Sequence, residues 1–232
     1  MKIGGFQGTT LIDYPGKIAS TIFTCGCNFQ CPFCHNPELV FYNKFQMNCT
    51  DGNELLKKLE NRMGFIEGIC ITGGEPTLNS DLCEYIYRIK SMGFLVKLDT
   101  NGYKPNVIKN LLEKNLIDAI AMDIKSSFKM YSNASGVDVD ISRIKESMEL
   151  IRNSNIQYEF RTTLVPDYVM SEDVDEIVGY IKGANHYALQ QFHKDKVLDP
   201  DNVPDKPYEK EVFYKLLKKH KGKFKKMELR GL

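Results

Sequence analysis

The chain lacks three features that would place it in other classes of protein. Its 232 residues contain no run approaching the roughly 18 consecutive apolar residues of a membrane span, so no membrane partner is expected. The formal net charge is only +1, so we expect no nucleic-acid partner. The first residues, Met1-Lys-Ile-Gly-Gly-Phe, lack the apolar core of a secretory signal. The seven cysteines are therefore expected to be reduced thiols in the cytoplasm.

The chain also lacks an interior low-complexity linker, and short apolar runs alternate with amphipathic stretches along it. This alternation predicts one domain over residues 1–232 with an α/β fold, a partial (β/α)6 TIM-like barrel of parallel strands. The predicted strands are Ala19–Thr24, Gly68–Thr72, Leu95–Asp99, Ala119–Asp123, Tyr158–Thr163 and Tyr187–Phe192. Helices are predicted after residues 50–54 and 79–80, and over Pro105–Lys114, Ile141–Arg152, Ser171–Ile181 and Tyr208–His220. A C-terminal helix and a solvated, lysine-rich tail are predicted for residues 207–232.

The most informative segment is Cys27-Asn-Phe-Gln-Cys31-Pro-Phe-Cys34, within a predicted loop at 25–36. Pro32 disfavours helix there, and a loop can wrap an iron–sulfur cube. Three thiolates would leave one iron of a [4Fe–4S] cluster open, which favours catalysis over electron transfer. Two alternatives stay open: a structural zinc site that recruits Cys25 or His35, and a haem or redox site at the Cys-x-x-Cys-His string.

Polar residues stand at the ends of all six predicted strands, where the loops of parallel βα units converge. They are the cysteine loop after the first strand, Gly73-Gly74-Glu75 after the second, Asp99 at the end of the third, Asp123 and Lys125 at the fourth, Arg161 late in the fifth and His193 after the sixth. Buried carboxylates are costly unless a cation pairs with them. Asp99 and Asp123 therefore indicate either a cationic ligand or, for Asp123, an internal salt bridge to Lys125 or Arg161.

These residues resemble the radical S-adenosylmethionine enzymes, whose Cys-x3-Cys-x2-Cys signature is matched by Cys27, Cys31 and Cys34. The resemblance implies that the open iron chelates S-adenosylmethionine, and that reduction of the cluster cleaves this cofactor to a 5′-deoxyadenosyl radical. It further implies that Phe33 meets the adenine and that Gly73, Gly74 and Glu75 hold the methionyl amine. Asp99, Asp123, Lys125, Arg161 and His193 would contact the rest of the cofactor.

The resemblance narrows to the activating enzymes of glycyl radical enzymes. Cys34-His-Asn-Pro37, Met122-Asp-Ile-Lys125 and Gln191-Phe-His193 look like motifs of that group. Residues 4–16 and 27–40 are similar to the activating proteins of anaerobic ribonucleoside-triphosphate reductase. This similarity implies a glycyl radical enzyme as partner and a flavodoxin or ferredoxin-like electron donor. No second group of cysteine motifs follows, so a second cluster is not expected.

Three other functions remain open at this point. A radical enzyme that acts on a small molecule would share every cofactor motif. An activating enzyme of another glycyl radical enzyme, such as pyruvate formate-lyase, would also share them. A metal-stabilised binding module without catalysis would use the cysteines alone. His35 and Asn36 beside the predicted cluster would either tune its potential or cap the loop.

Overall fold

A computed structural model describes all 232 residues, Met1 to Leu232. In chain order the strands are β1 (Lys2–Thr10), β2 (Ala19–Thr24), β3 (Thr50–Asp51), β4 (Gly68–Gly73), β5 (Leu95–Thr100), β6 (Ala119–Asp123), β7 (Gln157–Leu164), β8 (His186–Gln191) and β9 (Lys226–Arg230). The helices are α1 (Pro37–Val40), α2 (Gly52–Glu60), α3 (Leu82–Ser91), α4 (Pro105–Glu113), α5 (Tyr131–Ser135), α6 (Ile141–Arg152), α7 (Ser171–Ile181) and α8 (Lys210–His220). None of these helices is both long enough and apolar enough to cross a lipid bilayer.

The chain forms two compact units. The first comprises residues 1–28, 38–121 and 154–157, and the second comprises residues 29–37, 122–153 and 158–232. The prediction of one domain over residues 1–232 stays a prediction. The chain passes from the first unit to the second within the loop that carries the cysteines and again within β6.

The strands of the first unit are ordered β3-β1-β2-β4-β5. β1 is antiparallel to both β3 and β2, whereas β2, β4 and β5 run parallel to one another. The parallel strands are almost wholly buried, which explains why they appear in the sequence as continuous apolar runs. Helix α2 begins at an N-cap, Asp51, whose side chain accepts a hydrogen bond from the amide of Asn53.

The strands of the second unit include β7, β8 and β9, which are parallel neighbours in that order. The large side chains of Phe160, Tyr187, Phe192 and Phe213 are fully buried there. Helix α6 begins after Asp140, whose carboxylate accepts from the amide of Ser142. The expected α/β fold with mainly parallel strands is therefore confirmed within each unit.

The lysine-rich C-terminus is not all solvated tail, which corrects the sequence interpretation. Residues Lys226–Arg230 form β9, which pairs in parallel with β8. The alternation of Met227 and Leu229 with charged residues is the period of a strand with one face inward. The lysine run before it obscures that signal. The helix predicted to start at Tyr208 starts at Lys210.

Candidate functional site

The cysteine loop has neither helix nor strand between β2 and α1, as the sequence predicts. Its first residues belong to the first unit and are anchored by the main chain. The amide of Cys25 donates to the carbonyl of Lys2 at 3.1 Å, and that of Gly26 donates to Leu39 at 2.7 Å. Cys27 follows directly and is half-buried. The position of Cys27 is thus set by β1 and α1.

Gly73 and Gly74 pack against the backbone that leads into Cys27. The amide of Gly74 donates to the carbonyl of Thr24 at 2.9 Å, and the amide of Glu75 donates to Gly26 at 2.7 Å. A Cβ atom on Gly74 would lie 2.0 Å from the Gly26 oxygen. A Cβ on Gly73, whose φ is +113°, would lie 2.3 Å from the Thr24 nitrogen. Only glycine fits at either position, because backbone already occupies the space.

Glu75 is the most deeply buried acidic side chain of this region, with 1% of its surface exposed. Its Oε1 accepts from the Thr77 amide (3.1 Å), the Thr77 hydroxyl (2.5 Å) and the Thr100 hydroxyl (2.8 Å). Its Oε2 accepts from the amide of Asn101 at 2.7 Å. Burial raises the pKa of this carboxyl, and the four donors oppose the rise. Oε2 accepts only the one bond from Asn101 and keeps a second lone pair, where an ammonium group could bind.

Asp99 forms an ion pair that the sequence analysis missed. Its carboxylate binds the ammonium of Lys97, a residue that is 3% exposed. The two side chains lie two positions apart on β5, so strand alternation places them on the same side. The spacing of two residues between Lys97 and Asp99 on a predicted strand was the sequence signal that could have identified this pair. Lys97 therefore supplies a cation to Asp99 from within the chain.

Asn101 is the second residue that the sequence analysis missed. Its side-chain nitrogen lies 4.0 Å from the sulfur of Cys27 and 3.0 Å from the side-chain oxygen of Asn28. The Nδ2 atom of Asn28 is buried and has no hydrogen-bond partner. A buried donor without an acceptor, on the residue that follows Cys27, suits a site where a sulfur- or oxygen-rich group binds.

Cys31 and Cys34 belong to the second unit, where the amide of Cys34 donates to the carbonyl of Cys31 at 2.9 Å. Burial raises the pKa of Cys31 to about 11, and the nearby positive charge of Lys125 opposes this rise. The thiol is therefore mainly protonated at neutral pH, so metal binding there must displace a proton. Lys125 is placed to favour the thiolate that results.

Asp123 lies between two cations in the second unit. Its Oδ1 accepts from Nε of Arg161 at 2.7 Å, and its Oδ2 accepts from Nζ of Lys125 at 3.2 Å. Burial by itself would raise the pKa of Asp123, but the two neighbouring cations hold it well below the usual range. The same ion pair raises the pKa of Lys125, against the effect of burial. The internal salt bridge that the sequence left open is therefore present.

We expect Asp123→Asn to lower the free energy of unfolding at pH 7 by about 2–3 kcal/mol, because it leaves Arg161 and Lys125 without their shared counter-charge. The folded-state pKa of Asp123 is depressed. The contribution of Asp123 to the free energy of unfolding is therefore complete above the ordinary carboxyl pKa of about 3.9, and it is lost as pH falls toward the pKa of the folded state. Urea unfolding at pH 7 and pH 3 measures the difference.

The matched control for this prediction is Glu113→Gln, which breaks the exposed Lys109–Glu113 pair. That change should cost less than about 0.5 kcal/mol at either pH. An Asp123→Asn variant as stable as wild type at pH 7 would contradict the assignment of Asp123 as the centre of this ion-pair cluster.

The remaining predicted site residues also lie in the second unit. Phe33 is buried, and its ring centroid lies 5.7 Å from that of Tyr168. His193 is exposed after β8, with its Nε2 atom beside Gly231. Burial lowers the pKa of His35, with a further contribution from His193, so the two imidazoles are electrostatic neighbours. His35 also packs edge-on against Phe192, with 6.2 Å between ring centroids.

The structure therefore divides the predicted site into two groups. The first unit contains Cys27, Gly73, Gly74, Glu75 and Asp99, and the second contains Cys31, Phe33, Cys34, Asp123, Lys125, Arg161 and His193. Three thiols in one loop form a donor set typical of an iron–sulfur cluster. The buried, unpartnered Asn28 nitrogen is compatible with such a group. The positive charge of Lys125 near Cys31 is compatible with thiolate ligation.

Comparison with protein-family models matches residues 21–181 to the Radical SAM superfamily. A candidate glycyl-radical enzyme activating enzyme of Methanocaldococcus jannaschii is 35% identical over 206 residues, which cover 86% of this chain and 83% of that protein. The pyruvate formate-lyase-activating enzyme of Clostridium pasteurianum is 25% identical over 205 residues, covering 83% of this chain and 82% of that protein.

Among solved structures, Streptococcus suis SuiB bound to S-adenosylmethionine superposes with a TM-score of 0.70 at 14% identity. The match covers 90% of this chain and 49% of SuiB, so the chain spans about half the length of that protein. At this identity the likeness concerns the fold alone. It supports the fold class predicted from the sequence.

Proposed function

Because the chain belongs to the radical S-adenosylmethionine superfamily, we propose that it activates a glycyl radical enzyme, and that its partner is anaerobic ribonucleoside-triphosphate reductase. The superfamily uses a [4Fe–4S] cluster and S-adenosylmethionine, and these are the cofactors of this enzyme. The proposed reaction is abstraction of a Cα hydrogen from a glycine of the partner. The observation that carries the proposal is the three-cysteine loop within a chain similar along most of its length to an activating enzyme.

Each group of side chains has a distinct part in the proposal. Cys27, Cys31 and Cys34 would bind three irons and leave the fourth for S-adenosylmethionine. Bound together, the two cofactors supply the one-electron chemistry that ends in hydrogen abstraction. The protein's contribution is to orient the cofactor, exclude water and admit the partner's glycine.

The charged residues are suited to a ligand that carries both signs of charge. Asp99 and Asp123 would face the ammonium and sulfonium of S-adenosylmethionine, while Lys125, Arg161 and His193 would donate to its carboxylate and ribose. The ion pairs Lys97–Asp99 and Arg161–Asp123–Lys125 provide each carboxylate with a positive partner from the chain before the ligand arrives. Phe33 would pack against the adenine. Gly73, Gly74 and Glu75 would hold the methionyl amine. Gly73 and Gly74 also pack against the cysteine loop, and Glu75 holds the turn at Thr100 and Asn101.

The choice of partner rests on the similarity of residues 4–16 and 27–40 to activating proteins of the anaerobic reductase. A flavodoxin or ferredoxin-like protein is proposed as the electron donor, and the cytoplasm as the place of action. Activation of pyruvate formate-lyase is a second candidate, favoured by the 25% identity to the enzyme of that name.

The experiment that tests the proposal offers both partners to the reconstituted enzyme. Reduced enzyme and S-adenosylmethionine are incubated without oxygen with anaerobic ribonucleotide reductase or with pyruvate formate-lyase. The glycyl radical is then counted by electron paramagnetic resonance (EPR). We expect a radical on the reductase with wild-type enzyme and none with Cys31→Ala. A radical on pyruvate formate-lyase alone would overturn the choice of partner, and activation by Cys31→Ala would overturn the mechanism.

A further inference from the structure

Two asparagine side chains, Asn28 and Asn101, form a hydrogen-bonded pair beside Cys27. They are 73 positions apart in the chain, and all three residues belong to the first unit. Asn28 follows Cys27 directly, while Asn101 lies just beyond the end of β5. Neither asparagine has a part in the proposed function described above.

The backbone fixes which end of each amide points where. The amide of Tyr103 donates to Oδ1 of Asn101 at 3.0 Å, so that atom must be the carbonyl oxygen. The other end of the Asn101 side chain is consequently the NH2 group, which donates to Oδ1 of Asn28 at 3.0 Å. Asn28 must then present its own NH2 group away from Asn101. A single backbone donor thus sets the direction of both amides.

One N–H group of the pair lies near the thiol, and a second is buried without a partner. Nδ2 of Asn101 carries a second hydrogen and lies 4.0 Å from the sulfur of Cys27. Nδ2 of Asn28 is buried without a partner. A buried donor without an acceptor costs about 1–3 kcal/mol, so a fold that keeps one indicates that an acceptor arrives from outside the chain.

Asn101 is held rigidly enough for this purpose. It is 5% exposed, and its backbone amide donates to the Glu75 carboxylate at 2.7 Å. The hydroxyl of Thr100 donates to the same carboxylate at 2.8 Å and accepts from the amide of Gly102 at 3.1 Å. The buried Glu75 therefore fixes the turn that aims Asn101 at Cys27.

We propose that Asn101 and Asn28 are positioning residues that direct N–H donors at the sulfur atoms of the iron–sulfur cluster ligated by Cys27, and so make the cluster easier to reduce. The inference rests on the proposed function, because it requires the cluster. Reduction adds negative charge to the cluster and its thiolates, and N–H donors to sulfur stabilise that charge. Hydrogen bonds from surrounding residues commonly tune metal centres in this way.

The test is the midpoint potential of the reconstituted cluster in Asn101→Asp and Asn28→Ala. In Asn101→Asp a carboxylate replaces the NH2 group of residue 101, and the Asn28 amide can flip so that its NH2 group donates to that carboxylate. In Asn28→Ala the outward N–H is removed. In each variant the equilibrium constant for reduction of the cluster should fall at least about tenfold. This corresponds to a midpoint potential lower by about 59 mV for a one-electron couple. The potential is followed by EPR-monitored titration at matched iron content.

The matched control is Asn110→Asp. Asn110 also donates to a cysteine, Cys83, at 3.2 Å, but neither residue is in the cysteine loop. The cluster of the Asn110→Asp protein should have the same midpoint potential as the cluster of wild type. Because the two amides are linked by a hydrogen bond, their effects should not be additive. The shift in midpoint potential in the double variant Asn28→Ala/Asn101→Asp should be smaller than the sum of the shifts in the single variants.

The outcomes separate this inference from the proposed function. Lower potentials in the two variants, with Asn110→Asp unchanged, would support the inference. Unchanged potentials, with a wild type that still cleaves S-adenosylmethionine, would overturn the inference and leave the function standing. A wild type that assembles no cluster would overturn both. If Asn101→Asp does not fold, Asn28→Ala carries the test alone, because residue 28 is only half-buried.

Discussion

Alanine at Cys27, Cys31 or Cys34 is expected to abolish the [4Fe–4S] cluster, the brown colour it gives and all turnover that depends on it. Each thiolate would ligate one iron, and two protein ligands are too few to hold a cube that must also leave one iron open. The effect should be complete at all three positions. Iron and acid-labile sulfide per chain, measured after anaerobic reconstitution, check it directly.

The chain provides its own controls for this experiment. Cys25 lies two positions before Cys27 in the same loop, and its thiol is a hydrogen-bond neighbour of Cys49. Burial raises the pKa of Cys25 to about 12, with a further contribution from Cys49, so it stays a neutral thiol. Cys25→Ala and Cys49→Ala should keep wild-type iron content. Loss of iron in Cys25→Ala but not in Cys27→Ala would mean that the wrong thiols have been assigned.

Gly74→Ala is expected to lower the free energy of unfolding by about 3 kcal/mol or more. The added methyl group would meet the Gly26 carbonyl oxygen at 2.0 Å and its carbon at 2.7 Å. Both atoms belong to backbone that is itself hydrogen-bonded to Glu75 and Leu39, so neither can move aside cheaply. The cysteine loop should be displaced together with β4. Urea unfolding, with iron content after reconstitution, measures both effects.

Gly179→Ala is the matched control for the glycine prediction. Gly179 lies within α7, and a Cβ there would meet no atom within 4 Å. Alanine should stabilise this helix by about 0.5–1 kcal/mol. A Gly74→Ala protein as stable as wild type, and with full iron content, would show that the contact between Gly74 and Gly26 does not hold the loop.

The buried parallel strands were predictable because each is a continuous apolar run. Ala19–Thr24 and Ala119–Asp123 match the structure at both ends, and the other four predicted strands differ by one residue at one end or at both ends. β1 was missed because its Lys-Ile-Gly-Gly-Phe-Gln-Gly-Thr-Thr sequence contains three glycines and little apolar surface. β9 was missed because the lysine run before it obscures the alternation of its two apolar residues with charged ones.

Site residues could be predicted only where they are close together in the sequence or stand at the end of a strand. The spacing of the three cysteines and the Gly-Gly-Glu string are local patterns. The pairing of Asn28 with Asn101 is not, since their contact is set by the way Glu75 holds the turn after β5. The sequence also left open whether Asp123 pairs with a ligand or with its own chain, since both require the same residues.

The measurement that tests the central claim most directly is production of 5′-deoxyadenosine. The protein is reconstituted with iron and sulfide without oxygen, given S-adenosylmethionine and a strong reductant, and the product is quantified by chromatography beside Cys27→Ala and Cys25→Ala. We predict 5′-deoxyadenosine from wild type and Cys25→Ala and none from Cys27→Ala. A full, EPR-visible cluster that yields no product and does not respond to S-adenosylmethionine would contradict this prediction. It would indicate an electron-transfer or structural role for the cysteine loop.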